Sequence, residues 1–340
     1  MRPPPTVPLI DIGVLRDGGD PALVAAAIDT ACRDTGFFCI TGHGIDPDLI
    51  ARLDTAARRF FALSEAEKSA TAMVHGGRAW RGWFPLGGEV TSGVPDRKEG
   101  IYFGQELPDD HPRVRAGIPL HGRNLFPMQE PGLREAVVEW LDALTALGHI
   151  VMRGVALGLG LPVEWFREHL TDDPTVLFRI FRYPMDGPGE WGVAQHTDYG
   201  LLTLLLQDDC GGLQVKSRDG WIDVAPIPNT FVCNIGDMLE RITGGRYRST
   251  LHRVRNTSGR DRLSFPFFFD PSWDARVQPL PLEPDAGPDA GPDAGPDAGP
   301  DAPSAGQRWD GRSVFDFDGT YGQYLTAKVS KVFPDLVHVL

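Results

Sequence analysis

The chain places a histidine and an aspartate two positions apart, His196-Thr197-Asp198, and a third candidate ligand, His252, far downstream. Two imidazoles and one carboxylate can occupy one face of an octahedral divalent metal and leave three adjacent positions open. Open positions let Fe(II) hold an oxidisable co-substrate and O2 side by side, so the pattern points to ferrous oxygen chemistry. Alternate residues of a β-strand project to one side. On that rule His196 and Asp198 reach one ion from a strand while Thr197 points away, and His252 arrives on a second strand folded against the first. The structural alternative is a hydrogen-bonded core pair of His196 and Asp198, with His252 on the surface.

Arg262-Leu263-Ser264 forms a second group. The same alternation puts the guanidinium and the hydroxyl on one face, continued inward by Pro266 and Phe268, with Leu263, Phe265 and Phe267 on the other. An arginine pointing into an apolar enclosure needs an anion. Its planar fork suits a carboxylate, and Ser264 can donate one more hydrogen bond. A buried ion pair with a protein acid, or an arginine at a rim, would satisfy it equally. Convergent polar groups in an apolar pocket favour a ligand site.

These side chains require a β scaffold, and the sequence supplies one. From about residue 174 come short strand-like runs at 175–182, 201–207, 212–216, 221–225, 230–235, 251–255 and 262–269, separated by turn residues. That pattern predicts a sandwich or jelly roll. Ahead of it, 8–12 reads as an edge strand, 21–35 and 47–62 as helices, and Phe37–Ile40 as a strand closed by Gly42 and Gly44. Ser64 to Glu67 is a capping box. Residues 132–159 form the longest helix, with Val138, Leu141, Leu144, Leu147 and Val151 inward. The glycine-rich stretch 77–104, interrupted by Pro85 and Pro95, reads as loops and short strands and carries Trp80, Trp83, Phe84 and Tyr102. Trp83, Tyr102 and Phe268 are candidates for the substrate pocket, and the aromatic stretch as a whole for a lid. Residues 284–300 repeat Pro-Asp-Ala-Gly four times and have no apolar face with which to order themselves. Tyr321, Leu325, Val329 and Val332 mark a C-terminal helix ending near Pro334. The expected fold class is α+β with a mainly β core. Its divisions are an N-terminal region 1–170 packing on the barrel, a core 171–280, a low-complexity insertion 281–306 and a helical end 307–340.

Composition narrows the function. A net charge of −13 and a pI near 5.1 argue against nucleic-acid partners, and against anionic membrane surfaces. A small-molecule partner is the expectation; oligomeric state is left open. No apolar run reads as a membrane span, and no secretory leader opens the chain. Cys32, Cys39, Cys210 and Cys233 make no CxxC pair, so reduced thiols and a cytoplasmic location are expected. His43 and His149 read as structural, Asp237 as a turn residue, and Gln195 and Tyr199 as supports beside the ligands.

The assembled motifs resemble the isopenicillin N synthase-like Fe(II)- and 2-oxoglutarate-dependent dioxygenases. The resemblance runs from Pro8-Leu9-Ile10-Asp11 through Gly36-Phe37-Phe38, Gly42-His43-Gly44-Ile45, Asp96-Arg97-Lys98-Glu99 and Arg179 to Tyr183-Pro184. It is densest at His196-Thr197-Asp198-Tyr199-Gly200, Gln207-Asp208-Asp209, Gly211-Gly212-Leu213-Gln214-Val215, Asn234-Ile235-Gly236-Asp237 and Ser249-Thr250-Leu251-His252-Arg253-Val254. It implies a double-stranded β-helix flanked by N-terminal helices. By it, His196, Asp198 and His252 are iron ligands, Arg262 and Ser264 grip the far carboxylate of 2-oxoglutarate, and Tyr183 touches a bound carboxylate. The implied cofactors are Fe(II), the co-substrate 2-oxoglutarate and O2, with ascorbate a further candidate. The implied reaction is hydroxylation, desaturation or cyclisation of a small molecule, releasing succinate and CO2. Two rivals share these residues: an Fe(II) oxidase of the isopenicillin N synthase or aminocyclopropane-carboxylate oxidase type that uses no 2-oxoglutarate, and a non-catalytic metal- or ligand-binding barrel.

Overall fold

The strand Arg262–Ser272 pairs antiparallel with Leu202–Gln207 on one side and Pro174–Tyr183 on the other. It lies inside an eight-stranded sheet of order Leu9–Asp11, Phe37–Thr41, Phe231–Ile235, Leu202–Gln207, Arg262–Ser272, Pro174–Tyr183, Glu99–Gly104, Gly82–Phe84. A four-stranded antiparallel sheet of order Gly220–Val224, Leu213–Ser217, His252–Val254, Val193–His196 completes the jelly roll. The computed structural model describes residues 6–91, 93–185, 191–283 and 317–330.

The long central strand is buried on both faces, which is why its middle, Phe265 to Phe269, is apolar at every position rather than alternating. Phe265, Phe267 and Phe269 turn to the helical side; Ser264, Pro266 and Phe268 line a cavity on the other. The helix Pro131–Gly158 backs the sheet. Trp140 packs 6.0 Å from the Phe178 ring and 5.8 Å from the Phe231 ring. Gly148 lies so close to Phe269 that an added Cβ would come within 2.4 Å of its ring. Val137 takes the core position that the periodicity assigned to Val138, which is half-buried. By length and composition this helix could cross a bilayer, contrary to the sequence reading. Here its buried face covers the sheet, and the helices Ala22–Asp34 and Pro47–Ala62 pack against it.

Two further sequence expectations need correction. Residues 1–170 do more than pack on the core, since they contribute Leu9–Asp11, Phe37–Thr41, Gly82–Phe84 and Glu99–Gly104 to the same large sheet. A short helix, Asp237–Ile242, stands where a turn was expected at Asp237. The C-terminal helix Tyr321–Val329 starts on a capping box of Thr320 and Gln323. The Pro-Asp-Ala-Gly segment, Val332 and Pro334 lie outside the described residues. All four cysteines are unpaired thiols.

Candidate metal centre and ligand cavity

Val193–His196 and His252–Val254 pair antiparallel with His196 directly opposite His252, and the two rings lie 4.2 Å apart between centroids. The strand ends at His196, so Asp198 sits in the following loop rather than on the strand. Simple alternation therefore does not place it. The loop is held instead by its own backbone, the Asp198 carbonyl accepting the Asp237 amide at 2.8 Å. Thr197, expected to point away, is buried and lines the cavity.

Asp198 Oδ1 lies 3.8 Å from His196 Nε2 and 3.7 Å from His252 Nε2. One ligand atom from each residue falls within 4.8 Å of the others. Each Nδ1 sits against a backbone carbonyl, His196 on Ala194 at 2.9 Å and His252 on Thr250 at 3.2 Å. Donation of Nδ1–H to those carbonyls leaves both Nε2 lone pairs facing the carboxylate. The other carboxylate oxygen, Oδ2, accepts from Thr203 Oγ1 at 2.6 Å and Asn234 Nδ2 at 2.7 Å.

Protonation follows from this packing. Burial, then the neighbouring His252, pushes His196 down to about 4. Burial works to raise Asp198, but His252, His196, Thr203 and Asn234 outweigh it and hold the carboxyl below its ordinary value. A carboxylate beside imidazoles poised to offer Nε2 is the donor chemistry a divalent ion requires. The residues therefore fit a ferrous ion on chemistry as well as spacing.

The trio lies on the wall of a cavity of about 660 Å³ between the two sheets. Arg262 is fully buried on the same cavity. Its Nε donates to the Gly211 carbonyl at 2.6 Å and Nη2 to Gln207 Oε1 at 3.3 Å, while its face covers the Tyr183 ring at 4.8 Å. Nη1 is buried without a hydrogen-bond partner among the described residues. No carboxylate among the described residues forms an ion pair with Arg262, which removes the buried-salt-bridge alternative. Ser264 Oγ stands beside it, 3.3 Å from the Tyr183 hydroxyl. A guanidinium and two hydroxyls thus stand together on one wall of the cavity.

Residues 7–129 match the family described as non-haem dioxygenase in morphine synthesis N-terminal, and residues 173–271 match the 2OG-Fe(II) oxygenase superfamily. A probable iron/ascorbate oxidoreductase of Dictyostelium discoideum is 46% identical over 339 residues, covering 92% of this chain and 90% of that protein. The 1-aminocyclopropane-1-carboxylate oxidase of Dictyostelium mucoroides is 37% identical over 373 residues, covering 98% and 96%. Among solved structures, a full-length Neurospora crassa protein in complex with alpha-KG and thymine superposes with a TM-score of 0.69 at 29% identity, covering 81% of this chain and 88% of that one.

The chain belongs to the 2OG-Fe(II) oxygenase superfamily. As an oxygenase of this superfamily it is an oxidoreductase that uses Fe(II), 2-oxoglutarate and O2.

Within the oxygenase, the remaining sequence candidates divide. Phe268 and Tyr183 line the cavity. Trp83 does not; it is buried elsewhere, with Nε1 donating to Glu99 at 3.0 Å. Tyr102 stands one layer back and acts on the cavity through its hydroxyl, which donates to Glu89 at 2.5 Å. Trp80 and Phe84 are core residues, so these four aromatics form no lid. The stretch holds the loops and short strands expected of it, and the aromatics of Gly82–Phe84 and Glu99–Gly104 pack inward. His43 is structural, its Nδ1 accepting the Ile45 amide at 3.1 Å. His149 packs on Phe269 at 4.9 Å. Gln195 is exposed, whereas Tyr199 lines the cavity.

Sequence reasoning assigned no role to Thr203, Asn234, Glu89, Lys98 or Lys328, all of which line the cavity. Asn234 carried a signal, being the one polar residue in the buried run Phe231–Ile235. Thr203 carried almost none.

Proposed function

We propose that His196, Asp198 and His252 hold the iron, that Arg262 and Ser264 hold the far carboxylate of 2-oxoglutarate with Tyr183 alongside, and that the substrate is a small organic molecule oxidised by hydroxylation, desaturation or cyclisation. The observation that carries the assignment is the buried Nη1 of Arg262, which has no acceptor among the described residues and belongs to a side chain on the cavity that the metal trio also lines. Leaving such a donor unmet costs about 1–3 kcal/mol or more, and a bound carboxylate removes that cost.

The chemistry supplied by the bound iron is activation of O2 coupled to conversion of 2-oxoglutarate into succinate and CO2. The chain's own residues prepare for it. Thr203 and Asn234 fix one oxygen of Asp198, so its partner oxygen stays turned toward the imidazoles. The Ala194 and Thr250 carbonyls fix both rings. Gly211 and Gln207 aim the Arg262 fork. Leu177, Leu205, Val193, Val254 and Phe268 give the cavity an apolar wall that excludes water and orients a substrate C–H bond. The size of the cavity and the thymine in the Neurospora crassa complex support a small-molecule substrate. The name of the iron/ascorbate relative supports ascorbate as a reductant, and the four unpaired thiols support a cytoplasmic location.

The test is incubation with Fe(II), ascorbate, 2-oxoglutarate and candidate substrates, with succinate measured against oxidised product. One succinate per product is expected. Product formed without 2-oxoglutarate would favour the oxidase reading suggested by the aminocyclopropane-carboxylate oxidase relative, with Arg262 holding another acid. Anaerobic titration of the Fe(II)-loaded protein with 2-oxoglutarate is expected to give a weak visible charge-transfer band; a colourless, inert complex would favour the binding-protein reading.

A further inference from the structure

We propose that Arg179 is a second acid anchor and that the primary substrate carries a carboxylate, bound by Arg179 with its apolar body against Phe268 and Leu325. This rests on the reading that Arg262 serves 2-oxoglutarate.

Arg179 alternates with Leu177, Phe181 and Tyr183 on the cavity face of the strand Pro174–Tyr183, opposite Tyr102 in the ladder. Its guanidinium carbon lies over two rings, 4.2 Å from the centroid of Tyr102 and 4.8 Å from that of Phe268. The side chain is only 15% exposed, and Nε is buried with no hydrogen-bond partner among the described residues. Its one ion pair among the described residues, Nη1 to Glu89 Oε1, spans 3.5 Å. Glu89 is already served, by Lys98 Nζ at 2.8 Å and by the Tyr102 hydroxyl at 2.5 Å. Lys98 in turn also pairs with Asp96, and Lys328 lies 3.6 Å from Asp237. Among these cations, Arg179 keeps a buried donor, Nε, that no described residue accepts. Glu89 already pairs with Lys98 and accepts from Tyr102, so a carboxylate on Arg179 would compete with it for the guanidinium.

Position separates this anchor from the first. Arg262, Ser264, Pro266 and Phe268 follow one another along the same face of one strand. Arg262 pairs with Tyr183, and Arg179 lies four residues before Tyr183 on that strand, or about 14 Å of antiparallel strand away. A five-carbon diacid spans only about 5 Å between its carboxyl carbons. One 2-oxoglutarate therefore cannot occupy both anchors, and the Arg179 end is left for a different molecule. A carboxylate there would meet the planar fork that suits it, while Phe268 and Leu325 receive the rest.

The experiment is equilibrium binding of two apolar-bodied acids, 3-phenylpropionate and hexanoate, and of their amides, to the full chain. The protein is held anaerobically with Fe(II) and saturating 2-oxoglutarate, and affinities are read by ligand-observed NMR titration. At least one acid is expected to bind about tenfold or more tightly than its amide. Arg179→Gln should erase that preference, and Arg179→Lys should keep part of it. Glu89→Gln should strengthen acid binding several-fold, because it removes a competing anion; it decides the matter if Arg179→Gln fails to fold by thermal unfolding. Equal affinities, no binding by either acid, or a preference that survives Arg179→Gln would overturn the proposal. So would a preference lost in Arg262→Gln but kept in Arg179→Gln. Affinity for 2-oxoglutarate alone is measured separately. If it fails, the reading of Arg262 falls, whereas a preference dependent on Arg179 stands.

Discussion

Thr203 donates its hydroxyl to Oδ2 of Asp198 at 2.6 Å, tying the large sheet to the loop that carries the carboxylate. Asn234, the cross-strand partner of Thr203, donates to the same oxygen at 2.7 Å. Two donors on one oxygen leave Oδ1 to the imidazoles and fix which lone pair a metal meets. Thr203→Val keeps the volume and removes one donor. Metal affinity, measured by anaerobic Fe(II) titration, is expected to fall about 10- to 100-fold, the usual effect of losing a group that orients a ligand. Stability should fall by only about 1 kcal/mol. Unchanged affinity would mean that Asn234 alone suffices.

Arg262→Gln removes the charge and the fork while keeping a polar side chain. The Michaelis constant for 2-oxoglutarate is expected to rise roughly 100-fold, or about 3 kcal/mol, in the range for losing one partner of a buried charged contact. Metal affinity should not change, because Arg262 touches none of the three ligands. Co-substrate dependence equal to that of the parent would show that Arg262 grips something else.

The chemistry of the site was legible in the sequence because residue type alone carries it: His196, Asp198 and His252 have few other reasons to be buried together. The geometry was less so. Alternation failed at Asp198 because the strand stops at His196, and no residue of that segment announces the stop. Thr203 and Asn234 were unreadable as partners because their adjacency comes from strand order, Phe231–Ile235 beside Leu202–Gln207, which a linear pattern does not encode. Trp83 and Tyr102 misled for a different reason. The glycines around them fit the expected lid, but here serve close strand packing: at Gly100 a Cβ would fall 2.6 Å from the Phe181 ring.

Asp270 makes stability depend on pH. Burial raises its carboxyl to about 7, against the pull of hydrogen bonds from Tyr321 and the Leu201 amide. The folded pKa lies above the unfolded value of about 3.9, so the folded state holds the proton longer. The contribution is fully present below about pH 4 and is lost as pH rises to about 7, amounting to at most about 4 kcal/mol. Asp270→Asn removes the titration. Urea unfolding between pH 4.5 and 7.5 should show the parent losing stability with rising pH more steeply than the variant. Parallel curves would mean that Asp270 is ionised in the fold throughout.

Gly200 tests whether this carboxyl and the metal loop are mechanically coupled. It lies two residues past Asp198, and a Cβ added there would stand 1.4 Å from Oδ1 of Asp270 and 2.3 Å from its carboxyl carbon. No rotamer of alanine avoids the contact, so either Asp270 leaves the Leu201 amide, which it accepts at 3.1 Å, or the loop shifts. Overpacking of this kind costs about 1–3 kcal/mol, and the broken buried hydrogen bonds add roughly 1 kcal/mol each. Gly200→Ala is therefore expected to lower stability by about 3 kcal/mol and to weaken Fe(II) binding. Asp270→Ala removes the obstructing atoms at its own cost. If the clash is the cause, the double variant Gly200→Ala, Asp270→Ala should be more stable than the sum of the single losses by about 1–3 kcal/mol, the range of coupling between residues in contact. It should also recover part of the metal affinity. Additive losses would show that Gly200 is required by its own backbone or by Gly236, whose added Cβ would fall 2.3 Å from the Gly200 carbonyl oxygen, and that Asp270 does not position the loop.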